Sequence, residues 1–519
     1  MKGKLLASTA TVGTMTFLSR ISGFVRDQII AIVFGANGAT DAFVVAQRIP
    51  NMLRRMFAEG AFAQAFVPVI AEYKTQHGEA ETKALVDHAT GTLLMCLIGV
   101  TVIGVIAAPL LILLVASGFS ADAGQAELAT HMLRLTFPYI LFISLTALFG
   151  GILNTYGKFA VPAFTPVLLN LSIISCAIFL APKFSQPIVA LAWGVLIAGI
   201  TQLLFQIPAL QKVGMLPTLK FNKSHAGVKK IMKLMLPALV GSSAAQINLL
   251  INTNLASFLV AGSVSWLYFS DRFVELPLAI FGIAIATVLL PRLSSKTADT
   301  KVFSDTIDWG LKLNLLIILP ATLGLILLAE PILTTLLQYR SFTANDAHMA
   351  SLSLAAFALG LPAFASIKVL APGFFSRQNT KTPMRFALYA IGLNLALNIC
   401  LVIPWIWNNL PAGHAILALS AALAAYLNAG LLYRQLRKEQ TYNPSNNWRQ
   451  FWLQALTALV AMAAILIWLQ PETQQWQNWS ALQRALRLGG LILAGAATYV
   501  IVLTAMGARP KHFKMIENQ

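Results

Sequence analysis

Long apolar segments, separated by Gly, Pro and short charged runs, follow one another along nearly the whole chain. Fourteen of them are long enough to cross a bilayer as α-helices, at about 20 residues per crossing. The pattern therefore predicts an all-α polytopic membrane protein with 14 transmembrane helices. The predicted spans are 5–34, 40–70, 86–116, 127–154, 162–181, 187–210, 228–261, 264–291, 309–337, 346–375, 383–407, 412–436, 449–469 and 484–507.

The composition agrees with a membrane protein and excludes most soluble classes. Of the 519 residues, 57% are apolar or aromatic and 11% are charged, and the mean hydropathy is +0.72. A soluble chain carries about twice this share of charged residues, because its surface must be covered by polar groups. The same numbers exclude a disordered, collagen-like or disulfide-rich protein.

The positive charge is distributed unevenly between the connections that separate the spans. The formal net charge is +18, from 37 Lys and Arg and 19 Asp and Glu. With both termini in the cytoplasm, and with most bases close to a span end counted with the adjoining connection, 25 of the 37 bases fall in termini and inner connections, 3 in outer connections and 9 within spans. This distribution follows the positive-inside rule. We therefore interpret the bases as orientation signals and not as a nucleic-acid surface.

The first 440 residues contain a weak internal repeat. Pro138 matches Pro362 and Arg48 matches Arg272, and such offsets run from 221 to 226. The repeat predicts two six-helix halves of the same orientation, as in transporters that bind the substrate between their halves. The predicted organisation is an N-terminal lobe at 1–220, a C-terminal lobe at 221–440, and helices 13–14 with a cytoplasmic tail at 441–519.

Most of the bases within spans are arginines of predicted helices 1, 2 and 8. A lipid-facing arginine costs about 2.5–3.5 kcal/mol on the insertion scale, so these side chains are expected to face water, acids or a ligand. The arginines are Arg20, Arg26, Arg48, Arg54, Arg55 and Arg272, and the acids on the same helices are Asp27, Asp41, Glu59, Asp271 and Glu275.

Four of these arginines are candidates for binding an anion. Arg20, Arg26 and Arg54 have no obvious partner nearby in the sequence, and Arg272 approaches from the other half. The planar guanidinium matches phosphate oxygens with two parallel hydrogen bonds and stays charged at any cellular pH. Several arginines around one cavity therefore favour a diphosphate ligand.

The remaining charges are interpreted as gating or ion-pair residues. Arg55 and Glu59 are four residues apart on a helix, and Arg272 and Glu275 are three apart, which allows pairing along one face. The alternative for the whole set is a group of buried ion pairs that lock helices 1, 2 and 8 together. That alternative explains the unpartnered arginines poorly, because an unpaired buried charge is strongly destabilising.

Three further features allow two interpretations each. Arg134 and Arg487 lie near helix ends, where snorkelling accounts for them. The Ser22-Gly23 pair in helix 1 is either a kink site or a close packing contact. Helices 13 and 14 carry almost no charge, and they are either ordinary lipid-facing helices or the walls of an apolar slot for a lipid chain.

Several segments resemble the MurJ (MviN) family of bacterial lipid II flippases. The quoted matches are SRISGFVRD at 19–27, TDAF at 40–43, RIPNMLRRMFAEGAFAQAFVPVIAEY at 48–73, AGSVSWLYFSDR at 261–272 and KVLAPGFFSRQNTKTP at 368–383. The resemblance covers essentially the whole chain. It implies a member of the multidrug/oligosaccharidyl-lipid/polysaccharide exporter superfamily, in which helices 13 and 14 form a hydrophobic groove.

The resemblance also implies a substrate, a membrane and a set of residues. The substrate is lipid II, an undecaprenyl pyrophosphate bearing a disaccharide-pentapeptide, which is moved across the bacterial inner membrane for peptidoglycan synthesis. The residues implied to line the cavity are Arg20, Arg26, Arg54 and Arg272. Our hypothesis for the mechanism is alternating access, with the lipid tail kept in the bilayer along helices 13 and 14.

The resemblance to the family bears on cofactors as well. Some members bind sodium through carboxylates in the second half, whereas predicted helices 7, 11 and 12 of this chain carry Asn in place of Asp or Glu. We therefore expect no sodium coupling, no metal and no cofactor, and we expect the membrane potential to bias translocation. The expected partners are lipid II, membrane lipids and, by contact, cell-wall synthesis proteins, with the chain itself a monomer.

Two rival functions fit the sequence less well. A cation-coupled polysaccharide-lipid or drug exporter of the same superfamily is the alternative, but a drug exporter would place carboxylates at the centre of its cavity. A membrane glycosyltransferase would need catalytic acids and a sizeable outer loop, and no HExxH, GxSxG or Walker motif occurs. We therefore expect a transporter without catalytic residues.

Overall fold

The computed structural model describes residues 2–56, 63–221, 225–282, 289, 292–293, 300–408 and 410–508. Within these ranges the regular secondary structure is helical throughout. The helices of the first half are α1 Lys2–Phe34, α2 Gly38–Arg54, α3 Ala63–Gln76, α4 Gly78–Ile106, α5 Ala108–Val115, α6 Ala123–Thr136, α7 Tyr139–Thr155, α8 Ala160–Ser175, α9 Val189–Lys212, α10 Ala226–Ser257 and α11 Ser263–Pro277. Those that follow are α12 Thr300–Leu327, α13 Ala329–Leu336, α14 Ala344–Phe375, α15 Lys381–Leu397, α16 Ile403–Trp407, α17 Gly413–Lys438, α18 Trp448–Leu469, α19 Thr473–Asn478 and α20 Ala481–Ala505.

These helices confirm the all-α membrane class. Ten helical segments in the described ranges are long and apolar enough to cross a membrane. Every predicted span coincides with at least one helix, which is consistent with fourteen crossings. Some spans are divided into two pieces near a proline, as at Pro109, Pro138 and Pro331, because proline lacks the N–H that would continue the helix.

Two long helices fall outside the ten apolar ones, and each begins one of the predicted halves. They are α1, with 33 residues, and α10, with 32 residues, so polarity and not length separates them from the rest. The polar residues responsible include Arg20, Arg26 and Asp27 on α1 and Asn248, Asn252 and Asn254 on α10. A membrane helix that is less apolar than its neighbours generally faces protein or water and not lipid.

Packing divides the chain into two compact units, Met1–Ser265 and Trp266–Gln519. The division lies downstream of the repeat boundary predicted at 220/221, because α10 packs on α3, α4 and α5 of the first unit. The lobes predicted from the repeat therefore stay a prediction. Each unit has its own apolar core, and positions at the repeat offsets recur in the two cores, as with Phe66 and Leu289 or Leu153 and Phe374.

A buried carboxylate in the first unit fixes the connection that follows α9. Asp87 on α4 is 3% exposed. It accepts hydrogen bonds from the backbone N–H of Thr218 (2.8 Å) and from its Oγ1 (2.6 Å), and it pairs with Lys83. The connection passes so close to α4 that a Cβ on Gly91 would lie 2.3 Å from the carbonyl oxygen of Lys220. The segment is therefore clamped onto α4.

The second unit contains a similar clamp at the connection that follows α17. Asp308 on α12 accepts hydrogen bonds from Tyr442 Oη (2.8 Å), Ser445 Oγ (2.8 Å) and Trp448 Nε1, and it pairs with Lys312 at 2.8 Å. Burial, together with the neighbouring Asp308 carboxylate, raises the pKa of Tyr442, so the phenol remains a donor. The connection before α18 is thereby held in place.

The two clamps stand at equivalent positions of the internal repeat. Asp87 and Asp308 are 221 residues apart, an offset within the predicted range. The paired lysine lies one turn before the carboxylate in the first clamp, at Lys83, and one turn after it in the second, at Lys312. The carboxylate and the connection it holds recur, whereas the position of the base differs.

The Asp308 clamp gives a stability prediction. Replacing Asp308 with Ala removes the acceptor of several hydrogen bonds and leaves Lys312 without its partner. We therefore expect the free energy of unfolding to fall by about 3–5 kcal/mol. Thermal unfolding of the purified protein in detergent measures this loss. The matched control is Asp305→Ala, since Asp305 is an exposed acid on the same helix. An equal effect of the two substitutions would contradict a role for the clamp in stability.

Candidate functional site

A cavity of about 700 Å³ in the first unit brings together three of the predicted arginines. Arg20 comes from α1, Arg54 from the end of α2, and Arg55 from the residue that follows α2. The other lining residues are Val12, Thr16, Ser19, Asn154, Phe159, Pro162, Ala163 and Pro166. None of these lining residues is acidic. The described wall of the cavity therefore carries three positive charges and no negative one.

The three arginines of the cavity differ in how they are held. Arg54 donates from Nε (3.0 Å) and Nη2 (2.8 Å) to Oδ1 of Asn51, one turn earlier on α2. In the part of the chain that the structure describes, the side chains of Arg20 and Arg55 form no hydrogen bond or ion pair, although the backbone N–H of Arg55 donates to carbonyl oxygens of α2. The predicted partner of Arg55, Glu59, lies outside the described residues. Arg20 is exposed, so its charge is hydrated within the cavity.

Arg26 has partners, which corrects the expectation that it has none. Its Nε (2.9 Å) and Nη2 (2.6 Å) donate to Oδ1 of Asp27, and its Nη1 donates to Oδ1 of Asn170 on α8 at 3.0 Å. Adjacent helical residues usually point apart. Here the long arginine side chain bends back to its neighbour, because Asp27 is buried and requires a counter-charge.

The same asparagine settles how the Ser22-Gly23 pair is used. The amide of Asn170 donates to the carbonyl of Ser19 (3.1 Å) and to Oγ of Ser22 (2.8 Å), and its Nδ2 would lie 3.5 Å from a Cβ on Gly23. Helix α1 continues through the pair without interruption. These contacts support the packing interpretation, with α8 close against α1 and Arg26 held in one orientation.

Asp41 lies at the other end of the first unit, where it caps a neighbouring helix. The carboxylate is 2% exposed. It accepts hydrogen bonds from the backbone N–H of Gly262 (2.7 Å) and Ser265 (2.7 Å) and from Ser265 Oγ (2.6 Å). These donors lie at the start of α11, where a negative charge also interacts favourably with the helix dipole. The start of α2 is thus tied to the start of α11.

A second group of contacts joins the C-terminal end of α10 to α2 and to the turn between α5 and α6. Arg48 Nη1 donates to Oγ1 of Thr253. Asn254 Nδ2 donates to Ser117 Oγ at 2.8 Å, and the N–H of Gly118 donates to Ser257 Oγ at 3.0 Å. We call the group formed by Ser117, Gly118, Asn254 and Ser257 the outer latch, because this end of α10 faces outward in the predicted orientation.

The outer latch depends on the absence of a side chain at Gly118. A Cβ there would lie 2.3 Å from the carbonyl oxygen of Ser257 and 2.5 Å from the backbone N of Phe258. Neither backbone atom can move away as a flexible side chain would. At the equivalent position of the internal repeat, 223 residues later, the chain has Ser341 in place of this glycine. The repeat alone therefore does not predict the latch.

The second unit holds Arg272, whose pairing along the helix is confirmed. Its Nη1 donates to Oε2 of Glu275 at 2.8 Å, and its guanidinium lies 4.8 Å from the ring centroid of Tyr268. Arg272 and Glu275 are half-buried, and Asp271 is exposed. Ion pair and ring together orient the guanidinium on α11.

An apolar pocket of the second unit lies beside α18 and has no lining residue on α20, so the slot predicted along helices 13 and 14 stays a prediction. The pocket has a volume of about 570 Å³, and its walls include Tyr426, Tyr433, Trp448 and Trp452. Gly495 of α20 packs against Leu466 of α18, where a Cβ would lie 3.1 Å away. The Gly489-Gly490 pair has open space beside it. The two C-terminal helices therefore pack closely at one level and leave a shallow face at another.

Comparisons with known proteins agree over nearly the full length. A sequence model of the family described as lipid II flippase MurJ matches residues 30–486. A protein of Vibrio cholerae described as probable lipid II flippase MurJ is 45% identical over 520 residues, which cover 98% of each chain. A protein of Burkholderia cenocepacia described as lipid II flippase MurJ is 42% identical, covering 98% of this chain and 99% of its own.

Solved structures give the same assignment. The chain matches a structure described as lipid II flippase MurJ in an inward closed conformation with a TM-score of 0.79 and 27% identity, covering 95% of this chain and 98% of the other. An inward-facing multidrug transporter of the MATE family matches with a TM-score of 0.67 over 80% of this chain and 94% of its own, and at 14% identity this shows the fold alone. The resemblance seen in the sequence is therefore confirmed, and the chain belongs to the lipid II flippase MurJ family.

Proposed function

We propose that this chain carries lipid II from the inner to the outer leaflet of a bacterial inner membrane, and that the arginine-lined cavity holds its diphosphate. The observation that carries this proposal is the cavity of about 700 Å³ whose described wall has Arg20, Arg54 and Arg55 and no acid. A diphosphate bears the opposite charge and offers several acceptor oxygens. Membership in the family supports the same substrate.

The chemistry of the site is recognition of an anion, without bond making. Guanidinium groups replace the water that the diphosphate loses when it leaves the membrane surface, and their hydrogen bonds to charged oxygens are about twice as strong as neutral ones. Arg20 and Arg55 have no described partner to give up, so binding costs them little rearrangement. Arg26 and Arg272 are further proposed substrate-binding residues that exchange Asp27 and Glu275 for phosphate during the cycle.

Translocation is proposed to follow alternating access. The cavity lies toward the end of the helices that contains the N-terminus, since its lining includes Val12, Thr16 and Phe159. The positive-inside distribution assigns this end to the cytoplasm. The outer latch and the Asp41 cap then close the opposite end. Opening outward requires these contacts to break, so Asp41 and Arg48 are proposed gating residues, together with Gly118 and Asn254.

The lipid tail is proposed to stay outside the polar cavity, against apolar surface of the second unit. The pocket beside Trp448 and Trp452 and the open face at Gly489-Gly490 are suited to an isoprenoid chain because they present aromatic and aliphatic surface. A polar head can then cross while the tail remains in hydrocarbon. Keeping the tail in hydrocarbon avoids moving the long apolar chain through water.

The membrane potential is the proposed driving force, and we propose that the chain acts as a monomeric transporter without a catalytic step. A charge moved through the full potential changes in energy by about 2.3 kcal/mol per 100 mV.

The test is reconstitution in vesicles with labelled lipid II, measuring its exposure on the outer leaflet. We expect transport to accelerate with an imposed potential and to be unchanged by replacing sodium with potassium. Absence of lipid II movement under every condition would overturn the proposed function.

The cavity arginines give a direct mutational prediction. Arg20→Ala and Arg54→Ala are each expected to slow lipid II exposure about tenfold or more, since each removes charge-assisted hydrogen bonds worth about 1.5–3 kcal/mol. Arg26→Ala and Arg272→Ala are expected to act in the same direction. The readout is the vesicle assay, normalised to the protein in the membrane.

The control for these variants is Arg449→Ala, because Arg449 is an exposed arginine at the start of α18 and does not line the cavity. It is expected to transport at the normal rate. Normal transport by both Arg20→Ala and Arg54→Ala would contradict the anion cavity, whatever the result for Arg449→Ala.

The outer latch gives a conformational prediction. Gly118→Val places a side chain where backbone atoms of Ser257 lie, so the closed outer end is destabilised and the outward-open state gains population. A cysteine introduced at Ser19, which lines the cavity, is expected to react faster with an impermeant maleimide added from outside. Native Cys96, Cys176 and Cys400 are replaced beforehand.

The matched control for the latch is Gly99→Val, since a Cβ on Gly99 meets nothing within 4 Å. It lies on α4, in the same unit, and is expected to leave the labelling rate of the Ser19→Cys reporter unchanged. Equal labelling in the Gly118 and Gly99 variants would show that the contact at Gly118 does not hold the outer end closed.

A further inference from the structure

A second polar cavity lies at the outer end of the first unit, away from the arginine-lined one. It has a volume of about 730 Å³ and is enclosed by α5, the 3₁₀ turn Ser117–Ala121 and α6. The third span is divided at Ala107, and Pro109 in the first turn of α5 lacks the N–H that would continue the preceding helix. One wall is apolar, with Pro109, Ile112 and Leu113.

The opposite wall carries charge in a definite order along α6. Glu127, His131 and Arg134 are spaced four and three residues apart, so they share one face of the helix. All three are exposed. The side chain of Arg134 forms no hydrogen bond or ion pair within the described ranges. From the membrane interior outward, this face therefore presents a cation, then an imidazole, then an anion.

Arg134 lies inside the predicted fourth span, although near its outer end. It is seven residues beyond position 127, where that span begins, or about 10 Å along the axis at 1.5 Å per residue. Its side chain can extend outward past one helical turn, as snorkelling arginines do. The anions that a membrane supplies at that level are the phosphates of lipids. The cavity gives such a phosphate room beside the helix.

We propose that this cavity binds a phospholipid of the outer leaflet whose headgroup carries a primary ammonium beyond its phosphate, the chemistry of phosphatidylethanolamine. The order of charges argues for that headgroup. The phosphate lies nearer the bilayer interior and meets Arg134 and His131, and the ammonium lies farther out and meets Glu127. A purely anionic headgroup would leave Glu127 opposed to negative charge.

The surface beside the cavity suits the rest of the lipid. Leu110, Leu113 and Leu114 on α5 and Ile106 at the end of α4 are exposed large apolar residues. They continue the apolar wall of the cavity toward the hydrocarbon region. Headgroup contacts and acyl-chain contacts are therefore available on one continuous surface. The ligand that fits this surface is an intact lipid with its acyl chains.

The test is equilibrium binding of acyl-labelled lipids to the purified full chain in detergent. Phosphatidylethanolamine is expected to bind about tenfold more tightly than phosphatidylglycerol or phosphatidylcholine, since these lack an ammonium that donates hydrogen bonds. Glu127→Gln is expected to abolish that preference. Arg134→Gln is expected to weaken binding of phosphatidylethanolamine by a similar factor. Glycerophosphoethanolamine, which has no acyl chains, is expected not to compete.

The control variant is Arg487→Gln, because Arg487 is also an exposed arginine near a helix end, stacked on Trp479 and remote in sequence from this cavity. It should leave all affinities unchanged. Equal affinity of the wild type for the three lipids, or equal behaviour of Arg134→Gln and Arg487→Gln, would overturn the proposal and leave Arg134 as a snorkelling residue in a water-filled cavity. Because binding is measured without transport, failure here is distinct from failure of the proposed flippase activity.

Discussion

The structure is organised around the cost of keeping arginine side chains inside a membrane. A guanidinium cannot lose its proton to escape that cost, so it needs water, a carboxylate or a ligand. Arg26 meets the requirement with Asp27 and Asn170, and Arg272 with Glu275 and Tyr268. The cavity arginines Arg20 and Arg55 have no side-chain partner among the described residues, and Arg20 is exposed to solvent. The described arginines therefore differ in whether protein groups or solvent compensate their charge.

The first unit combines an arginine-lined cavity toward one end of its helices with tight contacts at the other end. At the end that the predicted orientation places outside, Asp41 caps α11, and the outer latch holds the end of α10 against Gly118. At the end predicted to lie inside, Asp87 clamps the connection after α9. In the second unit, Asp308 holds the connection after α17. The outer latch consists of neutral hydrogen bonds, which are individually weaker than hydrogen bonds to charged groups. Asp41 beside it is a buried carboxylate with three donors, like the carboxylates of the two clamps.

Much of the architecture follows from one-dimensional patterns. Apolar segments locate the spans, prolines locate their divisions, and a three-residue spacing correctly pairs Arg272 with Glu275. The pairing of Arg26 with Asp27 was missed because helical geometry disfavours adjacent partners. Asp87 and Asp308 were missed because each lies at a span boundary, where it looks like part of a hydrated connection. Gly118 and Asn254 depend on the approach of segments more than 130 residues apart in sequence. Periodicity carries no information about such contacts.

The contact at Gly118 has a consequence for how this protein can change over generations. A junction that requires a bare backbone cannot be adjusted by degrees, because even the smallest replacement adds a methyl group at 2.3 Å from a carbonyl oxygen. The strength of this junction can still vary through the polar neighbours of that glycine, such as Asn254 and Ser257. Homologues adapted to different temperatures should keep the glycine and vary those polar neighbours.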